Sequence, residues 1–193
     1  MNLGGRYLNE DELKSAGFKK IGKNVKIHTR SSIYGVENIE IGDNSRIDDY
    51  SVIICTNGFL RIGRYVHIGN HCMISARAGL IINDFAGLSP GVNVFTSSGD
   101  YQGDTLTNPT VPQEFVGDYS GKVEIGKHAV IGAKSIILPN LKIGDGASIG
   151  SLSLIKNDLE EWTVYAGVPT KKIKTRSKRL LKFEEQLINY KGN

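Results

Sequence analysis

Only two cysteines, Cys55 and Cys72, occur in the 193 residues, and neither stands at a spacing that would hold a metal or build a disulfide framework. Both are expected to be structural, and no metal ligand set is assigned. No apolar run approaches the ~20 residues that a spanning helix needs. The opening MNLGGRYLNEDELK has neither the basic start nor the apolar core of a signal peptide. A cytoplasmic protein without a membrane span is therefore expected. Charge of one sign is not in large excess: Lys and Arg number 24 against 20 for Asp and Glu, a formal +4. The surplus gathers near the end, in Lys171, Lys172, Lys174, Arg176, Lys178, Arg179 and Lys182. That cluster reads either as a solvated helix end or as a contact for a phosphate-bearing ligand. No aromatic residue interleaves with it before Phe183 and no nucleic-acid motif is present, so nucleic acid is set aside as a partner.

Helical periodicity is also missing from Ile21 to Ile155, which argues against an α/β sandwich. A single Asn-Gly pair, Asn57-Gly58, is too few for an antiparallel barrel of hairpins. The segment instead carries a period of six. Aligned on an aliphatic residue it reads IGKNVK from Ile21, IHTRSS from Ile27, IGDNSR from Ile41, IDDYSV from Ile47, IGRYVH from Ile62, IGNHCM from Ile68 and ISARAG from Ile74. It resumes at Leu88 and Val94 and, after a gap, runs from Ile125 to Ile155.

Such a pattern predicts a three-sided coil, an all-β solenoid in which each hexapeptide gives one short strand and the aliphatic residue points inward at every level. Burying each Ile or Val is worth roughly 1.5–3 kcal/mol, and stacked coils pair as parallel strands about 4.8 Å apart. The small fifth residue is expected to turn inward, and Gly at the second position to accept corner angles that a Cβ would resist. The length suits one domain, 1–193, divided into an N-terminal cap (1–17), the coil (18–169) and a basic segment with an amphipathic helix (170–193). Asn9 to Ala16 reads as a short capping helix with Asn9 as N-cap. Ser97 to Gly121 breaks the repeat and must loop out, and a long excursion of that kind is usually functional. Arg176 to Tyr190 puts Leu180, Leu181, Phe183, Leu187 and Ile188 on one side of a helix that needs a partner surface.

The hexapeptides, the segment Tyr165-Ala-Gly-Val-Pro169 and the following Lys171-Lys172-Ile173 resemble the hexapeptide-repeat acyltransferase superfamily. The ending is similar to that of galactoside, maltose and xenobiotic acetyltransferases and of sugar acetyltransferases acting in surface-polysaccharide pathways. A generic parallel crossover would be right-handed; the resemblance implies a left-handed parallel β-helix. It also implies a homotrimer with acetyl-coenzyme A lying between two prisms, on Gly132, Ala133, Ser151, Gly167, Lys171 and Lys172. The competing reading of Gly132, Ala133 and Ser151 is that they merely satisfy the repeat.

Acyl transfer needs a base near the acceptor and donors for the oxyanion. The galactoside-type relatives carry a histidine at the start of the long loop, where this sequence has Asp100; that residue serves as a weaker base, an orienting group, a sugar contact or a turn cap. His71 is the leading histidine candidate, at an outward fourth position, and His67 the second; His28 and His128 are expected to be solvated. An amine acceptor arriving deprotonated needs no dedicated base. Tyr101, Asp104 and Asn108 are candidate sugar contacts. The expected activity is acetyl transfer to a sugar hydroxyl, with N-acetylation of a nucleotide-linked amino sugar as the alternative. A γ-type carbonic anhydrase metal site and a trimeric scaffold without catalysis are the remote alternatives.

Overall fold

The computed structural model describes residues 4–190; the two ends of the expected domain, 1–3 and 191–193, lie outside the described residues. The chain forms the left-handed parallel β-helix expected from the resemblance. Its strands stack into three sheets of six, eight and six strands, which are the three faces of the prism. On the first face Ile21, Ile41, Ile62, Ile82, Ile125 and Ile143 lie in register, one above the next. Ile27, Ile47, Ile68, Leu88, Ile131 and Ile149 do the same on the second. Nearly all are fully buried, so the core is a continuous aliphatic column.

Fifth-position residues turn inward as expected, Ser45, Ser51, Val66, Cys72, Ala86, Ala129 and Ala147 being buried. The serines also link coils: Ser45 Oγ donates to the Gly63 carbonyl at 2.8 Å and accepts from Val66 N. Burial pushes the Cys72 thiol up to about 11, which keeps it protonated and inert.

The second-position glycines have a different cause from the one expected. The left-handed backbone angles fall at the fourth position, on Asn24, Asn44, Tyr50, Tyr65, His71, Phe85, His128, Lys134 and Leu152. The second position is Gly because the next coil's backbone lies where a Cβ would stand: 2.6 Å from Gly63 C for Gly42 and 2.6 Å from Asp145 N for Gly126. The repeat also has no gap at residues 80–87. Leu80–Ile82 is a strand, and Ile82 opens a full hexapeptide ending at Gly87. Extra residues such as Ala78-Gly79 enter only at the third corner, which shifts the phase and hides the next unit from a strict count of six.

The N-terminal helix α1 spans Glu10–Ser15 and starts on a capping box between Asn9 and Glu12, with Leu13 buried against the core. The C-terminal helix α2 spans Leu180–Asn189, shorter than expected. The basic segment before it is not free chain: Lys171–Thr175 is a strand running antiparallel to Thr163–Ala166. His128 also departs from expectation. It is buried, stacked 5.0 Å from the Phe85 ring, with Nε2 2.8 Å from Glu184 of α2.

Desolvation raises the Glu184 carboxyl, but hydrogen bonds from Lys127 and His128 outweigh it and hold the group below its ordinary value. A depressed carboxyl stabilises above its unfolded pKa and loses that contribution as pH falls through the folded one. Glu184→Gln is expected to loosen α2, seen as faster amide exchange over 180–189 at pH 7. Wild type and variant should converge only once pH falls through that depressed folded value, beneath the ordinary carboxylate range.

Candidate active site

The outward sixth positions of the second face make one column in register: Lys26, Arg46, His67, Gly87, Val130 and Ser148. His67 Nε2 lies 2.7 Å from Asp48 Oδ2, and Arg46 Nε lies 2.9 Å from Asp48 Oδ1. Tyr7 Oη donates to the same Asp48 oxygen at 3.0 Å. Burial alone would raise the Asp48 carboxyl; hydrogen bonds from His67 and Tyr7 and the charge of Arg46 overcome that and hold it down. His67 is thus an exposed imidazole oriented by a carboxylate, the arrangement that fixes a histidine's tautomer. The Arg46 Nη2 contact to Nε2, at 3.0 Å, cannot donate while Nε2–H points at Asp48.

His71 sits at the second corner, exposed, in the left-handed region with φ 58. Its ring lies 5.1 Å from Tyr50, which accepts a hydrogen bond from Arg30 at 2.7 Å. The His71 ring has no hydrogen-bonded orienting group among the described residues. The two histidines therefore do not converge: one projects from a face, the other from an edge. His28 is half-buried under Tyr7, edge to face at 5.5 Å, rather than solvated.

Asp100 lies beyond the third face, at the root of the excursion. Ser97–Gly99 pairs antiparallel with Asp118–Ser120, closing the loop on itself. Asp100 Oδ1 accepts from Gln102 N at 2.6 Å and Gly103 N at 3.2 Å, and Oδ2 from Thr105 N at 2.7 Å. These bonds, the one from Gln102 first, hold its carboxyl below the usual range. The turn-capping role is present in the structure, and nothing in a single chain brings Asp100 against His67 or His71. Asn108 Oδ1 is likewise taken, by Thr110 N at 3.0 Å. Tyr101 and Asp104 are exposed at the loop tip. Leu106, Phe115 and Tyr119 of the same loop are each more than half exposed, an apolar surface without cover in one chain.

Gly132 is tied to the repeat, since its Cβ would overlap Ser151 N. Ala133 and Ser151 line the second corner with partial or full exposure. Gly167, at φ 106, needs glycine for its backbone angle. Lys172 Nζ pairs with Glu160 at 2.5 Å, whereas Lys171 is exposed and makes no ion pair among the described residues. No helix of the described residues is long and apolar enough to cross a membrane.

Asp48 and Arg46 were not singled out from the sequence. The signal was available in the register of coils, which sets Arg46 beside His67 across a stacking distance that the linear order conceals.

Comparison with known proteins adds chemistry to this geometry. A family model described as bacterial transferase hexapeptide (six repeats) matches residues 122–157. A dTDP-4-amino-4,6-dideoxy-D-glucose acyltransferase of Escherichia coli is 44% identical over 178 residues, 92% of this chain and 93% of that one. AntD, an N-acyltransferase from Bacillus cereus solved in complex with dTDP and 3-hydroxybutyryl-CoA, superposes with a TM-score of 0.91 at 37% identity, over 96% of this chain and 97% of AntD. A point mutant of AntD in complex with dTDP-4-amino-4,6-dideoxyglucose and coenzyme A superposes with a TM-score of 0.92 at 36% identity, over 97% of this chain and 99% of its own.

Proposed function

Because this chain belongs to the bacterial hexapeptide-repeat acyltransferases, we propose that it transfers an acyl group from coenzyme A to the amine of a dTDP-linked 4-amino-4,6-dideoxy sugar. The observation that carries this reading is the 44% identity to the Escherichia coli enzyme across nearly the whole of both chains. The sugar-hydroxyl acceptor expected from the sequence gives way here to its alternative. An amine also suits the site better than a hydroxyl would. It is nucleophilic without a strong base, and the loop offers a weakly basic carboxylate rather than a histidine.

In the proposed reaction the amine nitrogen attacks the thioester carbonyl carbon, the C–S bond breaks, and coenzyme A leaves as the thiolate. The surplus proton leaves the nitrogen last, for the thiolate or solvent. Asp100 faces the amine: its carboxylate stays ionised at neutral pH and attracts the positive charge that develops on the nitrogen as it attacks. His67 with Asp48 faces the same reaction from the second face of another subunit, and His71 flanks it. The exposed Leu106, Phe115 and Tyr119 supply the reason to place the loop in a subunit interface, as a homotrimer would. The donor lies along the second corner, past Ala133, Ser151 and Gly167, with Lys171 free to meet its phosphates. Both substrates are water-soluble and phosphorylated, consistent with a cytoplasmic reaction.

The test is thiol release from acetyl-CoA and from 3-hydroxybutyryl-CoA, each with dTDP-4-amino-4,6-dideoxyglucose and with the matching sugar that has a hydroxyl in place of the amine. Release with the amine alone supports N-acylation; release with the hydroxyl alone returns the reading to O-acylation.

A further inference from the structure

Gly87 is a glycine of the coils without a reason inside this chain. The other second-face and corner glycines answer to a left-handed backbone, as Gly91 and Gly146 do, to the next coil's backbone, as Gly69 and Gly132 do, or, at Gly150, to the Ala166 Cβ of the next coil. Gly87 has an ordinary φ, and a Cβ built on it meets nothing within 4 Å. It nevertheless occupies a strand, Gly87–Leu88, where glycine is conformationally disfavoured and where its presence marks close approach by a ligand or another backbone. What requires the bare backbone lies outside the chain's own atoms.

Its neighbours in the column say what kind of group fits. On one side stands His67, oriented by Asp48; on the other stands the half-exposed aliphatic Val130. An imidazole suits a polar carbonyl, and an aliphatic side chain suits a short hydrocarbon. We infer that Gly87 is a specificity-determining residue, its missing side chain leaving room for the acyl group of the thioester donor and setting the length of acyl chain accepted. The inference rests on the acyl-transfer reading above.

The experiment measures thiol release by wild type, Gly87→Ala and Gly87→Val with acetyl-CoA, butyryl-CoA and 3-hydroxybutyryl-CoA at saturating amino sugar. Assembly size and Tm are followed in parallel. With valine, kcat/KM for the two four-carbon donors should fall by about tenfold or more relative to acetyl-CoA, since a misplaced methylene in an acyl pocket costs 10–200-fold. Alanine should give a smaller shift in the same direction. The KM for the sugar and the assembly size should be unchanged, and the Tm should be equal or higher, because open space receives the new atoms.

Equal loss with all three donors, no change at all, or altered assembly would overturn the inference, the last pointing to close approach of a neighbouring subunit instead. A wild type that refuses every donor longer than acetyl would overturn it too. A wild type that releases no thiol from any donor with any sugar would instead end the acyl-transfer reading, a failure distinct from the others.

Discussion

Asp100→Asn is expected to lower kcat for N-acylation by roughly a hundred- to thousandfold, the scale of one lost preorganised partner for the charge that develops in the transition state, with the KM for the acyl donor little changed. Asparagine removes the charge that faces the amine, and its Nδ2 cannot accept from Thr105 N as the second carboxylate oxygen does, so that side of the loop cap loosens as well. The backbone N–H groups of Gln102 and Thr105 hold this carboxylate below its ordinary pKa. Wild-type kcat should therefore show no acid limb from Asp100 until pH drops beneath the ordinary carboxylate range. His67→Gln and His71→Gln, measured beside it, should each retain activity within a few-fold. If the His67 variant is the inactive one and Asp100→Asn is not, the base is the imidazole that Asp48 orients, and the loop carboxylate is a turn cap only.

The largest expected effect on stability is that of Gly42→Ala, far from the loop. The added Cβ would stand 2.6 Å from Gly63 C and 2.7 Å from Gly63 O. These are backbone atoms of the next coil, which cannot move without separating paired strands Ile39–Ile41 and Leu60–Ile62. Overpacking of this kind costs about 3 kcal/mol, which equilibrium denaturation in urea would read as a lower midpoint at unchanged slope. The same substitution at Gly87 adds the same methyl group with no such loss. A Gly42→Ala variant as stable as wild type would mean the coils can part locally, and the steric account of the second position would fail.

The contrast between Gly42 and Gly87 shows where sequence reading stopped. Both are glycines in the β-helix, but the linear pattern reads Gly42 as a corner residue and leaves Gly87 in the gap before Leu88, outside the repeat. Only the stacking of coils separates the one whose neighbour forbids a side chain from the one whose neighbours leave space. The same holds for His128. Its fourth-position placement was legible and correct, but Glu184 stands far along the chain and is brought in by α2, so a residue expected in solvent is buried against the Glu184 carboxylate. The hidden hexapeptide at Ile82 was lost for a simpler reason: extra residues at the third corner advance the phase without disturbing the strands.

A regular alternation of large inward residues is a local property, so the amino-acid order alone determined the three-sided column, its buried Ile ladder, the capping helix at Asn9 and the place where the long loop departs. It also determined the kinds of side chain available for the chemistry. Which of them meet was decided by tertiary structure, because coils stack at strand spacing and bring Arg46, Asp48, His67 and Gly87 side by side. Contacts set by stacking depend on the length of every intervening turn, and in this chain those lengths vary.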